Sequence, residues 1–187
     1  MDLWSLQDVK HFKEVSSSEF KQAEKAIYDL LGEWLEQRTP SSRIYVDPGE
    51  FGIDLIQSIE RFYIGYEVKM AKLFKGHIDP SPLFQGIGQA IHYLHRGMDR
   101  AYLVAPALQG LEYFTELFQA TVKLVGLILF DRHFNFEEIV KPTTSHLYSK
   151  EMKEIIDELL RMHKPGIATL RLHRLKERWV AGSKIGS

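Results

Sequence analysis

Apolar positions recur every three or four residues over 17–37, placing Phe20, Ala23, Ile27, Leu30, Leu31 and Trp34 on one face of a helix. Ser16, Ser17 and Ser18 stand before it as capping residues, and Thr39-Pro-Ser-Ser42 breaks it. The pattern then changes period. Arg43-Ile-Tyr-Val46 reads as a short strand closed by the turn signal Asp47-Pro-Gly49. Residues 53–56 and their continuation, and then 62–70, are rich in β-branched and aromatic side chains and predict two neighbouring strands. After Asp79-Pro-Ser-Pro82 helical spacing returns up to about Arg96, burying Leu83, Ile87, Ala90, Ile91 and Leu94, with Gly97 beyond the end. A strand at 101–104, a helix at 108–124 built on Leu111, Phe114, Leu117, Phe118 and Val122, and a strand at 125–130 follow. Helix, three strands, helix, strand, helix, strand is the order of an α/β fold with a mixed sheet. A last helix is expected at 149–163, then a break at Pro165-Gly166 and an amphipathic basic stretch over 170–179.

Composition adds exclusions. The chain has 187 residues, 44% hydrophobic and 26% charged, enough for one domain with its own core. Having no cysteine, it has no disulfide framework, no cysteine zinc ribbon and no thiol nucleophile. Its longest clear apolar run, Val125 to Phe130, is far short of a membrane span, and Met1-Asp-Leu-Trp4 does not open like a secretion signal. A soluble, cytoplasmic protein without membrane contact is therefore expected. The net charge of −1 hides an asymmetry, because residues 1–160 carry −7 and residues 161–187 carry +6. The basic end suits a polyanion, and equally suits a solvated helix face.

The candidate chemistry lies on the predicted strands. Along a strand Glu67 and Lys69 project to one side and Val68 to the other, so a carboxylate and an ammonium can address one phosphate. Asp54 lies on the preceding strand. A hairpin would bring it to Glu67, a costly approach of like charges unless a cation lies between them, and hard cations prefer such oxygen donors. Two other Glu-x-Lys triplets, at Glu19 and Glu151, fall in helical patterns where residues two apart diverge. On the following helix Gln89 and Tyr93 share a face, with Gln85, His92 and Arg96 beside them; a second Gln-x-x-x-Tyr, at Gln109, opens a later helix.

Asp54, Glu67-Val-Lys69 and Gln89-x-x-x-Tyr93, in that order on strand, strand and helix, resemble the PD-(D/E)xK nuclease superfamily, in particular its lambda-exonuclease and RecB-like branch. The resemblance spans about residues 17–130, and Ile53 stands where the name-giving proline would be. It implies a restriction-endonuclease-like core over 1–145, with 146–187 as a C-terminal helix and basic extension. By that resemblance Asp54, Glu67, the Val68 carbonyl and Glu24, preferred to Glu33, would hold Mg²⁺ or Mn²⁺. Lys69 would orient or deprotonate the attacking water, Gln89 would help orient Lys69 or the phosphate, and Tyr93 would line the site. The implied activity is hydrolysis of DNA phosphodiester bonds, of the exonuclease or DNA-repair type. Lys72, Arg96, Arg171, Arg174, Lys176 and Arg178 are the candidate backbone contacts.

Competing readings have their own residues. A nucleic-acid-binding or assembly protein that retains the nuclease fold without hydrolysis would carry the same pattern. Asp54 also suits a turn, Glu67 and Lys69 an exposed ion-pair face, and Tyr93 a core position. Gly86-Ile-Gly88 lacks the third glycine of a dinucleotide loop and fits close helix packing better. His92 and His95 lack an evident third metal ligand. Nothing in the pattern selects between a monomer and a homo-oligomer such as a symmetric dimer or ring.

Overall fold

Residues 55–58, 63–68, 101–106 and 125–130 are buried along their whole length, and this sets the architecture: a central sheet between two helical layers. The computed structural model describes the chain except residues 20–22, 50–51, 122, 167–175, 178 and 180–187. Its elements are α1 (Leu6–Glu19), α2 (Ala23–Arg38), β1 (Arg43–Val46), β2 (Leu55–Ile59), β3 (Phe62–Val68), β4 (Lys72–Phe74), β5 (His77–Asp79), α3 (Ser81–His95), β6 (Arg100–Pro106), α4 (Glu112–Thr121), β7 (Val125–Phe130), β8 (Phe136–Val140) and α5 (Lys150–Arg161). The six-stranded sheet has the order β1-β2-β3-β6-β7-β8, and β4 and β5 form a separate hairpin. β1, β2 and β3 are antiparallel neighbours; β3, β6 and β7 run parallel; β8 returns antiparallel on β7.

Register assigns the faces. Gly65 lies opposite Ile56 and Ala101, and Glu67 opposite Leu103, so these side chains share one face. Helix α3 packs there closely: a side chain on Gly65 would begin 3.1 Å from Tyr93 Cδ2, and one on Gly86 would begin 2.6 Å from Leu103 Cδ1. On the other face Tyr66 stacks on Tyr102 at 5.3 Å and donates its hydroxyl to Gln57 Oε1 at 2.7 Å. α1 and α2 cover this side, with Trp34 against Phe136 and Trp4 against Phe130. Trp179 completes that cluster, 5.1 Å from Trp4, and donates its indole N–H to the Arg132 carbonyl at 2.7 Å. α5 belongs to the same hydrophobic core through Ile156 and Leu160.

The α/β order and mixed sheet agree with the sequence pattern, and four of its details are corrected. The helix expected over 17–37 begins at Ala23, and Ser16, Ser17 and Ser18 lie inside an earlier helix, α1, instead of capping α2. α1 carries Val9 and Phe12 into the core, a spacing of three with too few apolar neighbours to stand out. The β4–β5 hairpin and β8 were absent from the expected order: β4 and β5 have three residues each, too few to show an alternation, and in β8 the adjacent Glu137 and Glu138 interrupt it. The helix expected over 108–124 is confined to Glu112–Thr121, since Gly110, at φ +76°, belongs to the turn before it. Gly97 ends α3 as expected, at φ +98°.

Candidate active site

The fork between β2 and β3 brings the predicted acids together. Pairing of these strands ends at Leu55 opposite Tyr66, and the Asp54 carboxylate continues it by accepting the Val68 N–H at Oδ2, 2.8 Å. Its Oδ1 accepts the Tyr28 hydroxyl at 2.6 Å. Tyr28 was missed in the sequence, although it lies one helical turn after Glu24 and so on the same face of α2. Glu24 Oε1 accepts the Met70 N–H at 3.3 Å, beside Lys69, whereas Glu33 is paired with Lys176 at 2.5 Å. Of the two candidate acids of this helix, Glu24 and not Glu33 lies beside Lys69.

Glu67 is the most enclosed member, with 1% of its side chain exposed. Its Oε1 is ion-paired with Lys69, 15% exposed, and its Oε2 accepts the Tyr93 hydroxyl. α3 approaches closely because residue 86 is glycine; a side chain there would begin 2.7 Å from Lys69 Cγ. Gly88 has open space around its Cα, so the close-packing reading of Gly86-Ile-Gly88 belongs to Gly86 alone. Val68 is fully buried at the end of β3.

Burial and charge crowding perturb Asp54, Glu67, Lys69 and Tyr28. Burial, reinforced by the neighbouring Asp54 and Glu24 carboxylates, lifts the Glu67 carboxyl to about 7 against the pull of Lys69. Burial also lifts Asp54, although Tyr28, the Val68 N–H and Lys69 all favour its ionised form. Burial works to lower Lys69, but Glu67, Asp54 and Glu24 outweigh it and hold the ammonium more firmly than usual. Burial and the Asp54 charge raise the Tyr28 hydroxyl, which keeps it a donor. At neutral pH the site therefore contains a protonated lysine and carboxyls that resist sharing one another's charge.

The remaining candidates are dispersed. Gln89 lies on α3 between Gly86 and Tyr93 and is exposed, without a hydrogen bond to Lys69. Arg96 Nε donates to His92 Nε2 at 3.1 Å, and its guanidinium approaches the loop before Asp54, 3.3 Å from where a Gly52 side chain would begin. Lys72 is exposed on β4. Lys176 is engaged by Glu33 on the opposite helical layer, and Arg171, Arg174 and Arg178 lie outside the described residues. A cleft of about 870 Å³ opens at the far end of β2 and β3 beneath α5, where Arg43, Tyr45, Ser58, Tyr63 and Arg161 contribute to its walls. Neither Asp54, Glu67 nor Lys69 lines it, so the acidic fork and this cleft are separate features.

Among the described residues no three Asp, Glu or His side chains stand as a ready-made metal cage. The donor chemistry nevertheless fits a hard cation: two adjacent carboxylates, a third behind them, and only one ammonium to offset their charge. A cation on Glu67 competes with Lys69 for Oε1. No protein-family model and no curated protein matches the chain. Among the described residues no helix is long and apolar enough to cross a membrane.

Proposed function

We propose that the chain is a metal-dependent nuclease with a restriction-endonuclease-like core that hydrolyses DNA phosphodiester bonds, of the exonuclease or repair and recombination type. The observation that carries this reading is the convergence of Asp54, Glu67 and Lys69 at one strand fork, with Glu67 buried against both Lys69 and Tyr93. Asp54, Glu67 and the Val68 carbonyl would hold Mg²⁺ or Mn²⁺, with Glu24 behind them. When bound, the cation supplies Lewis-acid polarisation of the phosphate and acidifies water.

The chain's own groups perform the rest. Lys69 stays protonated beside three carboxylates, so its part is to offset negative charge growing on the phosphate and to orient water, rather than to remove a proton. Tyr93 holds the Glu67 carboxylate and Tyr28 the Asp54 carboxylate, which fixes both acids before substrate arrives. Gln89 is exposed on the same helix as Tyr93, and its part would be to meet a phosphate oxygen of bound DNA.

The deciding experiment incubates the purified chain with linear duplex, single-stranded, circular and branched DNA in Mg²⁺ or Mn²⁺, beside EDTA and the Glu67→Ala and Lys69→Ala variants. Metal-dependent cutting that both variants lose is the expected result. Cutting that persists unchanged in the variants removes the assignment. One observation favours a second reading, a nucleic-acid-binding protein without hydrolysis: both Glu67 oxygens are already engaged by protein groups. That reading expects DNA binding without cutting and no Mg²⁺-linked rise in thermal stability.

A further inference from the structure

We propose that the β4–β5 hairpin is a base-stacking element, in which Phe74 packs on an unpaired base of a DNA single strand led to the site; this rests on the nuclease reading above. The hairpin leaves the site directly, since Lys72 follows Lys69 by three residues and Asp79 leads through Pro80 into α3. Its two faces differ. The Leu73–Ile78 pair turns inward and packs against the hydrophobic core, which seats the hairpin. The Lys72–Asp79 and Phe74–His77 pairs turn outward, and Phe74 is 62% exposed.

A flexible loop would let an exposed phenyl ring fold back, but this one is held out by backbone geometry. Phe74 and His77 are paired, so the loop is the two residues Lys75 and Gly76, at φ +48° and +81°, the positive values of a tight type I′ hairpin turn. Lysine is a costly choice at such a φ, where Asn, Asp or Gly is usual. Here it puts an ammonium at the tip, 5.2 Å from the Phe74 ring centre. Lys72 and His77 are exposed on the same face. The hairpin's one acid, Asp79, lies across from Lys72 and accepts from the Ser81 N–H and hydroxyl, each at 2.9 Å.

An exposed apolar ring with the Lys75 ammonium beside it and Lys72 on the same face suits a ligand with a flat π-face and a phosphate backbone, and a single strand offers both. In a duplex the base faces are already covered by their neighbours, so the hairpin prefers single strands or frayed ends. The same ring gives the site a means of holding a strand in register while a phosphodiester lies at Lys69.

The test measures binding of the full chain, in EDTA to prevent cutting, to a short single-stranded DNA carrying one 2-aminopurine and to a blunt duplex. Wild type should bind the single strand and change the 2-aminopurine fluorescence on stacking. Phe74→Ala should weaken single-strand binding on the order of tenfold and lose that change, with little effect on the duplex, while Phe74→Trp keeps both. Far-UV circular dichroism of the variants checks that this exposed position leaves the fold intact. Equal single-strand affinity for wild type and Phe74→Ala, with metal-dependent cutting intact in both, overturns the hairpin's role and leaves the nuclease reading standing. No DNA binding and no cutting by wild type overturns both.

Discussion

At the scale of single residues, the site is a problem of charge without solvent. Glu67 is nearly sealed, and its carboxyl titrates at about 7 because burial and Asp54 oppose ionisation more strongly than Lys69 favours it. The folded state therefore holds a proton that the unfolded chain has already released between the ordinary glutamate range and neutrality. Its contribution to stability is fully present below the unfolded value and is lost as pH rises through about 7. Without divalent cations, wild type should lose stability relative to Glu67→Gln between pH 5 and pH 8, by on the order of 2 kcal/mol, as read from urea unfolding at each pH. A flat difference across that range would mean that Glu67 is already ionised at low pH. Tyr28 offers a simpler check. Its hydroxyl donates to Asp54 from a buried position, and Tyr28→Phe should cost about 1–2 kcal/mol of stability and slow any cutting by loosening Asp54.

At the scale of elements, α3 and β3 make the site together, and two glycines of the same helix separate packing from propensity. A methyl at Gly86 would begin 2.6 Å from Leu103 Cδ1 and 2.7 Å from Lys69 Cγ, so the helix would have to lift off the strand that carries Glu67 and Lys69. Gly86→Ala should therefore destabilise by about 1–3 kcal/mol despite alanine's better helix propensity, and should impair the site. Gly88 meets nothing within 4 Å, and Gly88→Ala should stabilise by roughly 0.5–1 kcal/mol. Thermal melts of the two variants give opposite signs if α3 seats as described. The sequence pattern already favoured close helix packing over a dinucleotide loop for Gly86-Ile-Gly88, and contact with Leu103 and Lys69 shows that Gly86 alone is there for close approach.

At the scale of the whole molecule, contacts distant in sequence close the structure at two places. Trp4 and Trp179 meet in one aromatic cluster with Phe12, Phe130 and Phe134, so residues near opposite ends of the chain share a core. Trp179→Ala should cost about 3–5 kcal/mol, the range for removing a buried aromatic, and should be seen as a lower urea midpoint. The second closure is Asp99, 3% exposed, which accepts from the Tyr63 N–H at 2.7 Å and from Lys153 at 2.7 Å and 2.9 Å, binding α5 to the edge between β3 and β6. Asp99→Ala leaves Lys153 and the Tyr63 amide without their acceptor and should cost about 3–5 kcal/mol.

The sequence by itself determined the elements whose pattern can be read locally: α2 from Ala23 onward, β1, β2, β3, α3 with its stop at Gly97, β6, β7 and α5. It also singled out Asp54, Glu67 and Lys69, although only Glu67 lies within a strand: Asp54 stands one residue before β2 and Lys69 one residue after β3. Tertiary structure decided the rest. The partnership of Tyr28 with Asp54 and of Tyr93 with Glu67 joins residues 26 apart, and no local pattern encodes such a distance. Short strands such as β4, β5 and β8 draw their order from neighbours, and the outward ring of Phe74 follows from a turn whose backbone sign the residue names alone do not disclose. The physical reason is common to all of these. Local sequence sets which conformations are cheap, whereas burial, charge crowding and close approach depend on what the fold brings alongside.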